Sequence, residues 1–369
     1  MIKILFLIHD LGVGGAEKVL VNLVNNMDCN RFDITVISLF GGGINEKFIN
    51  PNIRLINAFN KTIRGNSKIM KIFTPEFLHD AFVKDTYDIE VAYLEGPCAR
   101  IISGCSNPET KLVAWIHGEL NSLNRIAKSF RSKKETLRCY NKFDQINFVS
   151  ESVKEDFCKF VDLSNKTEVI HNTVESETII RASHQPVSEL KSEDINIVSV
   201  GKLSKRKGYD RMLNIIKKLF DEGYPIHFYA LGVGEYEKEM RKIIKERKMD
   251  SYFTLLGYQT NPYKYVRRAD LFVCASLAEG FSTAATEALI LGVPVITTLV
   301  SGMKEMLGNN NEYGIITNND EKSLYEGIKK LLDNPELLKH YKSQAQKRGE
   351  DFITKRTVNA TQEMFISLL

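Results

Sequence analysis

Two loops in the second half of the chain carry residues able to do chemistry on an anion. Gly201-Lys202-Leu203-Ser204-Lys205-Arg206-Lys207-Gly208 places four cations directly after the apolar run Ile195–Val200. Cations so crowded repel one another unless water or an anion lies among them, and a diphosphate is the natural anion for such a loop. A solvated basic turn is the other reading. A Walker loop is excluded, because Lys207 precedes its glycine and no Gly-Lys-Ser/Thr follows.

The second loop, Ala278-Glu279-Gly280-Phe281-Ser282-Thr283-Ala284-Ala285-Thr286-Glu287-Ala288-Leu289, follows the apolar run Leu271–Cys274. Small and hydroxyl residues at 282–286 start a helix, so the amides around Phe281–Thr283 are donors available to an anion. Glu279 lies before that helix end, and Glu287 sits just over a turn inside it. Ionised carboxylates only accept hydrogen bonds, so one beside a phosphate site and one a turn away suit the vicinal hydroxyls of a sugar and a ribose. Both are equally readable as ordinary acids favoured by the helix dipole.

In the first half, His9-Asp10-Leu11-Gly12-Val13-Gly14-Gly15-Ala16-Glu17 joins an apolar run to an amphipathic helix, and glycines there let backbone amides approach an oxygen-rich ligand. A dinucleotide fingerprint wants a small residue at Glu17 and an acid where Phe40-Gly41-Gly42 stands, so NAD is disfavoured. A tight turn with no ligand is the alternative. His117, after Lys111–Ile116, is a hydrogen bonder of either structural or catalytic use.

The elements that must position these residues are short apolar runs alternating with amphipathic segments, the pattern of parallel strands joined by crossover helices. The runs are Lys3–Ile8, Ile34–Leu39, Ile53–Ile56, Ile89–Tyr93, Lys111–Ile116, Gln145–Val149 and Glu168–Ile170. A second series comprises Ile195–Val200, His227–Leu231, Phe253–Leu256, Leu271–Cys274, Val295–Thr297 and Gly314–Ile316. The polar stretch His171–Asp194 between them reads as a hinge. The expected organisation is an α/β chain of two doubly wound domains, 1–175 and 195–345, with a linker at 176–194 and a terminal helix within 346–369. Ligands of open α/β sheets bind beyond the carboxyl ends of the strands, which is where the loops above lie.

Composition agrees with a folded protein. The 369 residues, 43% hydrophobic and 26% charged, can supply two cores. A net charge of +4 gives no reason to expect nucleic acid as partner. The six cysteines show no Cys-x-x-Cys spacing, so neither zinc nor a redox pair is indicated and a reducing cytoplasm fits. The apolar start is too short for a signal-peptide core, and no run approaches the ~20 apolar residues of a spanning helix. Local charge is another matter. An excess of about six positive charges lies between Lys111 and Lys142, with Leu123, Ile126, Phe130, Leu137 and Tyr140 interleaved, and Lys61, Arg64, Lys68 and Lys71 form a second basic segment. Each reads either as a solvated face or as a contact with anionic lipid.

Glu279-Gly280-Phe281 through Glu287, the Gly201–Gly208 loop, Gly14-Gly15-Ala16-Glu17 and Trp115-Ile116-His117-Gly118 together resemble the retaining, nucleotide-sugar-dependent glycosyltransferases of family 4, of the bacterial capsular and exopolysaccharide type. The likeness spans nearly the whole chain, in the right order, and two glutamates with seven intervening residues are that family's signature. It implies the GT-B fold, with a terminal helix crossing back to the first domain and closure about the hinge. It assigns the donor-sugar hydroxyls to Glu279, the ribose hydroxyls to Glu287, and the distal phosphate and sugar to Gly280, Phe281, Ser282 and Thr283. Lys207 matches the lysine that neutralises the leaving diphosphate. The family's partner arginine is replaced by Lys202, which keeps charge without the planar fork, so either Lys202 or Arg206 supplies the second contact. His117 falls near the reacting sugar, and Gly14 and Gly15 frame the diphosphate and acceptor.

The implied activity is metal-independent, same-face transfer of a hexose or N-acetylhexosamine from a UDP-sugar to a glycan, plausibly lipid-linked, in surface polysaccharide assembly. No Asp-x-Asp metal pair occurs in the sequence and no cofactor beyond the donor is implied. The expected location is cytoplasmic, at most peripheral to the membrane. An epimerase or glycogen-synthase-like enzyme on the same fold, or a non-catalytic sugar-binding protein, are the alternatives.

Overall fold

Apolar runs without polar alternation form strands covered on both faces. Ile4 through Ile8 are buried in β1 (Ile2–Asp10), an interior strand of a seven-stranded parallel sheet. Its other members are β2 (Phe32–Phe40), β3 (Arg54–Phe59), β4 (Ile89–Ala92), β5 (Lys111–Ile116), β6 (Gln145–Phe148) and β7 (Lys166–Val169), in the order β3-β2-β1-β4-β5-β6-β7. A second, six-stranded parallel sheet has the order β10-β9-β8-β11-β12-β13. It comprises β8 (Ile195–Val200), β9 (Ile226–Leu231), β10 (Phe253–Gly257), β11 (Leu271–Cys274), β12 (Val295–Thr298) and β13 (Ile315–Thr317). Each apolar run named above lies in or overlaps a strand. These coordinates come from a computed structural model that describes residues 1–12, 14–61, 69–163 and 166–369. Arg64 and Lys68 of the second basic segment lie outside the described residues.

Two compact units result, Met1–Val174 with Thr354–Leu369, and Glu175–Ile353. In each, strand order reverses beside the first strand: β1 lies between β2 and β4, and β8 between β9 and β11. The connections leave in opposite directions there, opening a crevice at the carboxyl ends. In the second unit the flanking loops are 201–208 and 275–282, the two cation-rich and glutamate-bearing segments.

The stretch read as a hinge contains a helix, Ser176–Ser183, that belongs to the second unit. Its buried apolar anchor is Ile179. Polar bonds hold its end, with Asn261 Nδ2 donating to the Ala182 carbonyl at 2.8 Å and Arg268 Nη1 to that of Ser183 at 3.2 Å. One buried aliphatic gives no apolar period to read, which is why sequence pattern missed it. At the other end, the helix Pro335–Gly349 stays in the second unit, and Thr354–Ser367 is part of the first. There Phe365 meets Phe6 edge-on at 5.9 Å, and Gln362 Oε1 accepts from the Asp28 amide at 2.8 Å.

A buried ionic cluster braces the start of β4. His79 Nε2 lies 2.8 Å from Glu90 Oε2, with Cys105 Sγ 3.9 Å from Glu90 Oε1. Burial alone would lower the imidazole pKa, but hydrogen bonds to Cys105 and Glu90 outweigh it and raise the value from 6.5 to about 10. A raised folded pKa stabilises fully below the unfolded value, and the contribution is lost as pH climbs through the folded one. The urea midpoint of the first unit should therefore fall between pH 6.5 and 10. The fall should be smaller in His79→Gln; an identical fall would assign it to other groups.

Candidate active site

The loop after β8 and the loop after β11 are tied together by backbone. Leu277 N donates to the Arg206 carbonyl at 2.8 Å. Gly208, at φ +74°, lies so close that a Cβ there would stand 1.8 Å from the Ala275 carbonyl oxygen. Only glycine combines that conformation with that approach. Lys207 is thereby presented to the residues that follow β11.

There it meets Glu279. Lys207 Nζ is 2.5 Å from Glu279 Oε1, the same oxygen that accepts from Ser276 Oγ at 2.6 Å. The glutamate side chain is 11% exposed and the lysine 32%, so the pair is shielded yet still open to a ligand. Cys274 Sγ lies 3.7 Å from Ser276 Oγ and 3.9 Å from Ser282 Oγ, and Ser199 and Tyr209 also line the small cavity. Burial raises the Cys274 thiol's pKa, keeping it protonated, so it adds no negative charge.

The helix Thr283–Ile290 begins at this point. Ser282 is its cap, accepting from the Ala285 amide at 3.4 Å. No acidic side chain occupies the first turn, so the positive end of the helix dipole is left for a ligand. Lys207 and this helix end together make a site for an anion. Glu279 adds an acceptor for hydroxyl groups beside it.

Other sequence-derived candidates fall elsewhere in the second unit. Glu287 is buried and accepts from Tyr263 Oη at 3.3 Å. Lys202 is 67% exposed and paired with Glu235 at 3.0 Å. Arg206 is exposed as well. Neither Lys202 nor Arg206 joins the Lys207–Glu279–Ser276 network. Sequence reasoning passed over Ser276, whose only signal was a hydroxyl three residues before Glu279 in a post-strand loop.

The first unit presents its own residues at the carboxyl edge of its sheet. Gly14 precedes, and Gly15 begins, the helix Gly15–Asn26, whose first turn carries Glu17. Glu17 is held above its ordinary pKa by burial, with the nearby Asp10 adding to the rise. His9 Nδ1 lies 2.7 Å from Asp10 Oδ2, and the Gly12 amide donates to Asp10 Oδ1 at 2.8 Å, an arrangement sequence reasoning left unread. His117 follows β5; its amide donates to Glu95 Oε2 at 3.0 Å, and its ring packs 4.8 Å from Tyr93. Its Nε2 is buried without a hydrogen-bond partner among the described residues. Burial pushes this imidazole down to about pKa 3, so it is neutral at physiological pH.

A model of Glycosyltransferase Family 4 matches residues 13–178, and one of Glycosyl transferases group 1 matches 181–348. The chain is a family 4 glycosyltransferase. A curated relative from Campylobacter jejuni is 27% identical over 370 residues, covering 95% of this chain and 96% of its own. That protein is an N-acetylgalactosamine-N,N'-diacetylbacillosaminyl-diphospho-undecaprenol 4-alpha-N-acetylgalactosaminyltransferase. An uncharacterised glycosyltransferase of Methanocaldococcus jannaschii is 26% identical, covering 84% of this chain and 83% of its own. Among solved structures, HepE of Anabaena in complex with UDP superposes with a TM-score of 0.75 over the whole of both chains at 18% identity. A variant of Staphylococcus aureus TarM in complex with UDP, Fondaparinux and alpha-GlcNAc-glycerol gives 0.76, covering 99% of this chain and 100% of its own at 14% identity. The two parallel α/β units of this glycosyltransferase thus have the GT-B fold.

Proposed function

We propose that this glycosyltransferase moves a hexose or N-acetylhexosamine from a UDP-sugar to a lipid-linked glycan during surface polysaccharide assembly, with retention of configuration. The observation that carries the reading is the shielded Lys207–Glu279 pair beside the start of the Thr283–Ile290 helix, whose first turn carries no acidic side chain. UDP in the HepE and TarM structures supports the base, and the diphospho-undecaprenol acceptor in the name of the Campylobacter relative supports the lipid carrier.

Cleaving a glycosyl diphosphate requires stabilisation of charge on the departing oxygens. Fixed cations and helix amides provide it without reorganisation. Lys207 and the amides from Gly280 to Thr283 do so here, while Glu279 leaves its lysine partner to accept from sugar hydroxyls and Glu287 accepts from the ribose. Either Lys202 or Arg206, both exposed on the same loop, supplies a second cation. The acceptor hydroxyl attacks the anomeric carbon on the face from which the diphosphate departs; the carbon–oxygen bond to diphosphate breaks, and the departing oxygen takes the hydroxyl proton. Neutral His117, with one ring N–H and one acceptor nitrogen, serves as a hydrogen bonder to the sugar, since burial leaves the imidazolium form unpopulated at pH 7. Gly14 and Gly15 let backbone approach the diphosphate. With lysines neutralising the leaving group, turnover needs no divalent ion.

The test is UDP release from a panel of UDP-, GDP- and ADP-sugars, with and without chelator, on wild type and Glu279→Ala. UDP-sugars should turn over equally with chelator. The variant should be slower by roughly tenfold or more, the scale of losing hydrogen bonds to a charged group. Strict magnesium dependence, or an unaffected variant, would overturn the site assignment.

A further inference from the structure

We propose that Ile69–Phe77 is an interfacial anchor that seats the first unit on the surface of an anionic bilayer. The inference deepens the lipid-linked reading above and rests on it for its biological sense. Its evidence is separate. Ile69, Ile72, Phe73 and Phe77 are 48%, 71%, 39% and 55% exposed. Single exposed apolar side chains are ordinary, but four within nine residues make a patch that water disfavours.

The patch is built rather than loose. The rings of Phe73 and Phe77 stack at 4.9 Å. Beneath them Arg100, 1% exposed, donates from Nη1 to the Met70 carbonyl at 2.8 Å and from Nη2 to the Phe73 carbonyl at 2.7 Å. Arg131 donates from Nε to the Lys71 carbonyl at 2.5 Å, and from Nη2 to that of Ile72. Burying a guanidinium is costly, and here its hydrogen bonds hold a turn whose side chains face water.

The surroundings select the partner. The segment clamped to this turn carries exposed Arg131, Lys133, Lys134 and Arg138. Glu135 is held by Arg100 at 3.0 Å, and Arg138 has Glu76 at 3.9 Å, while Lys133 and Lys134 form no ion pair among the described residues. Apolar tips beside a row of cations match the acyl boundary and phosphate layer of an anionic leaflet, where both contributions act together. An uncharged apolar partner would leave those cations unused.

The experiment is co-sedimentation of the full chain with vesicles of phosphatidylcholine alone or mixed with phosphatidylglycerol, without donor or acceptor. Wild type should bind the anionic vesicles and lose binding in high salt. Ile72→Ser with Phe77→Ser, and separately Lys133→Glu with Lys134→Glu, should each weaken binding roughly tenfold or more while leaving UDP release from the donor unchanged. The charge variant keeps the test decisive should the apolar one misfold. Equal partition onto neutral vesicles, absence of binding, or wild-type self-association abolished by Ile72→Ser with Phe77→Ser would overturn the proposal, the last in favour of a second copy. Vesicle binding without transfer to a lipid-linked glycan would sink the functional reading and leave this one standing.

Discussion

Lys207→Ala should lower kcat with a UDP-sugar by about 10²–10³-fold, the usual effect of deleting one donor aimed at developing transition-state charge. KM should move much less, because charge on the departing oxygens grows mainly as the bond breaks. Lys207 Nζ sits 2.5 Å from Glu279 Oε1, partly shielded from bulk water, so the fold itself positions its charge. Lys207→Arg should recover part of the loss, since charge returns with different geometry. Steady-state kinetics of all three proteins decides the matter. A kcat unchanged in Lys207→Ala would remove the lysine from leaving-group stabilisation.

Gly208→Ala should destabilise the second unit by about 3 kcal/mol or more and lower activity at the same time. The left-handed conformation alone costs a non-glycine residue roughly 1–2 kcal/mol. The remainder comes from the added methyl, which would stand 1.8 Å from the Ala275 carbonyl oxygen and force the two active-site loops apart. Gly223→Ala is the natural control: its φ is +91°, yet nothing lies within 4 Å of the added carbon, so only the conformational cost remains. Denaturant midpoints for the two variants should differ clearly, and only Gly208→Ala should impair turnover. Equal midpoints would show that the loops yield without penalty.

How much of this was legible beforehand follows from the range of the interactions involved. Runs such as Ile4–Ile8 announce buried parallel strands, because a strand covered on both faces is apolar along most of its length. The start of the Thr283–Ile290 helix was legible too, since a serine cap followed by small residues is a local signal. The helix Ser176–Ser183 was not, because a single buried isoleucine and bonds from Asn261 and Arg268 hold it.

The sequence by itself determined two parallel α/β units, the cation-rich and glutamate-bearing loops at strand ends, and the family to which they belong. Tertiary structure decided which of the crowded cations matters: Lys207 reaches Glu279, while Lys202, five residues earlier, turns outward to Glu235. It also decided that Ser276 steadies the glutamate, and that His117 has its Nε2 buried and its ring neutral. The physical reason is distance along the chain. Lys207 and Glu279 are 72 positions apart and meet only because β8 and β11 are neighbours where the strand order reverses. Strand formation is a local property of residues, whereas pairing, burial and charge contact depend on what the rest of the fold brings alongside.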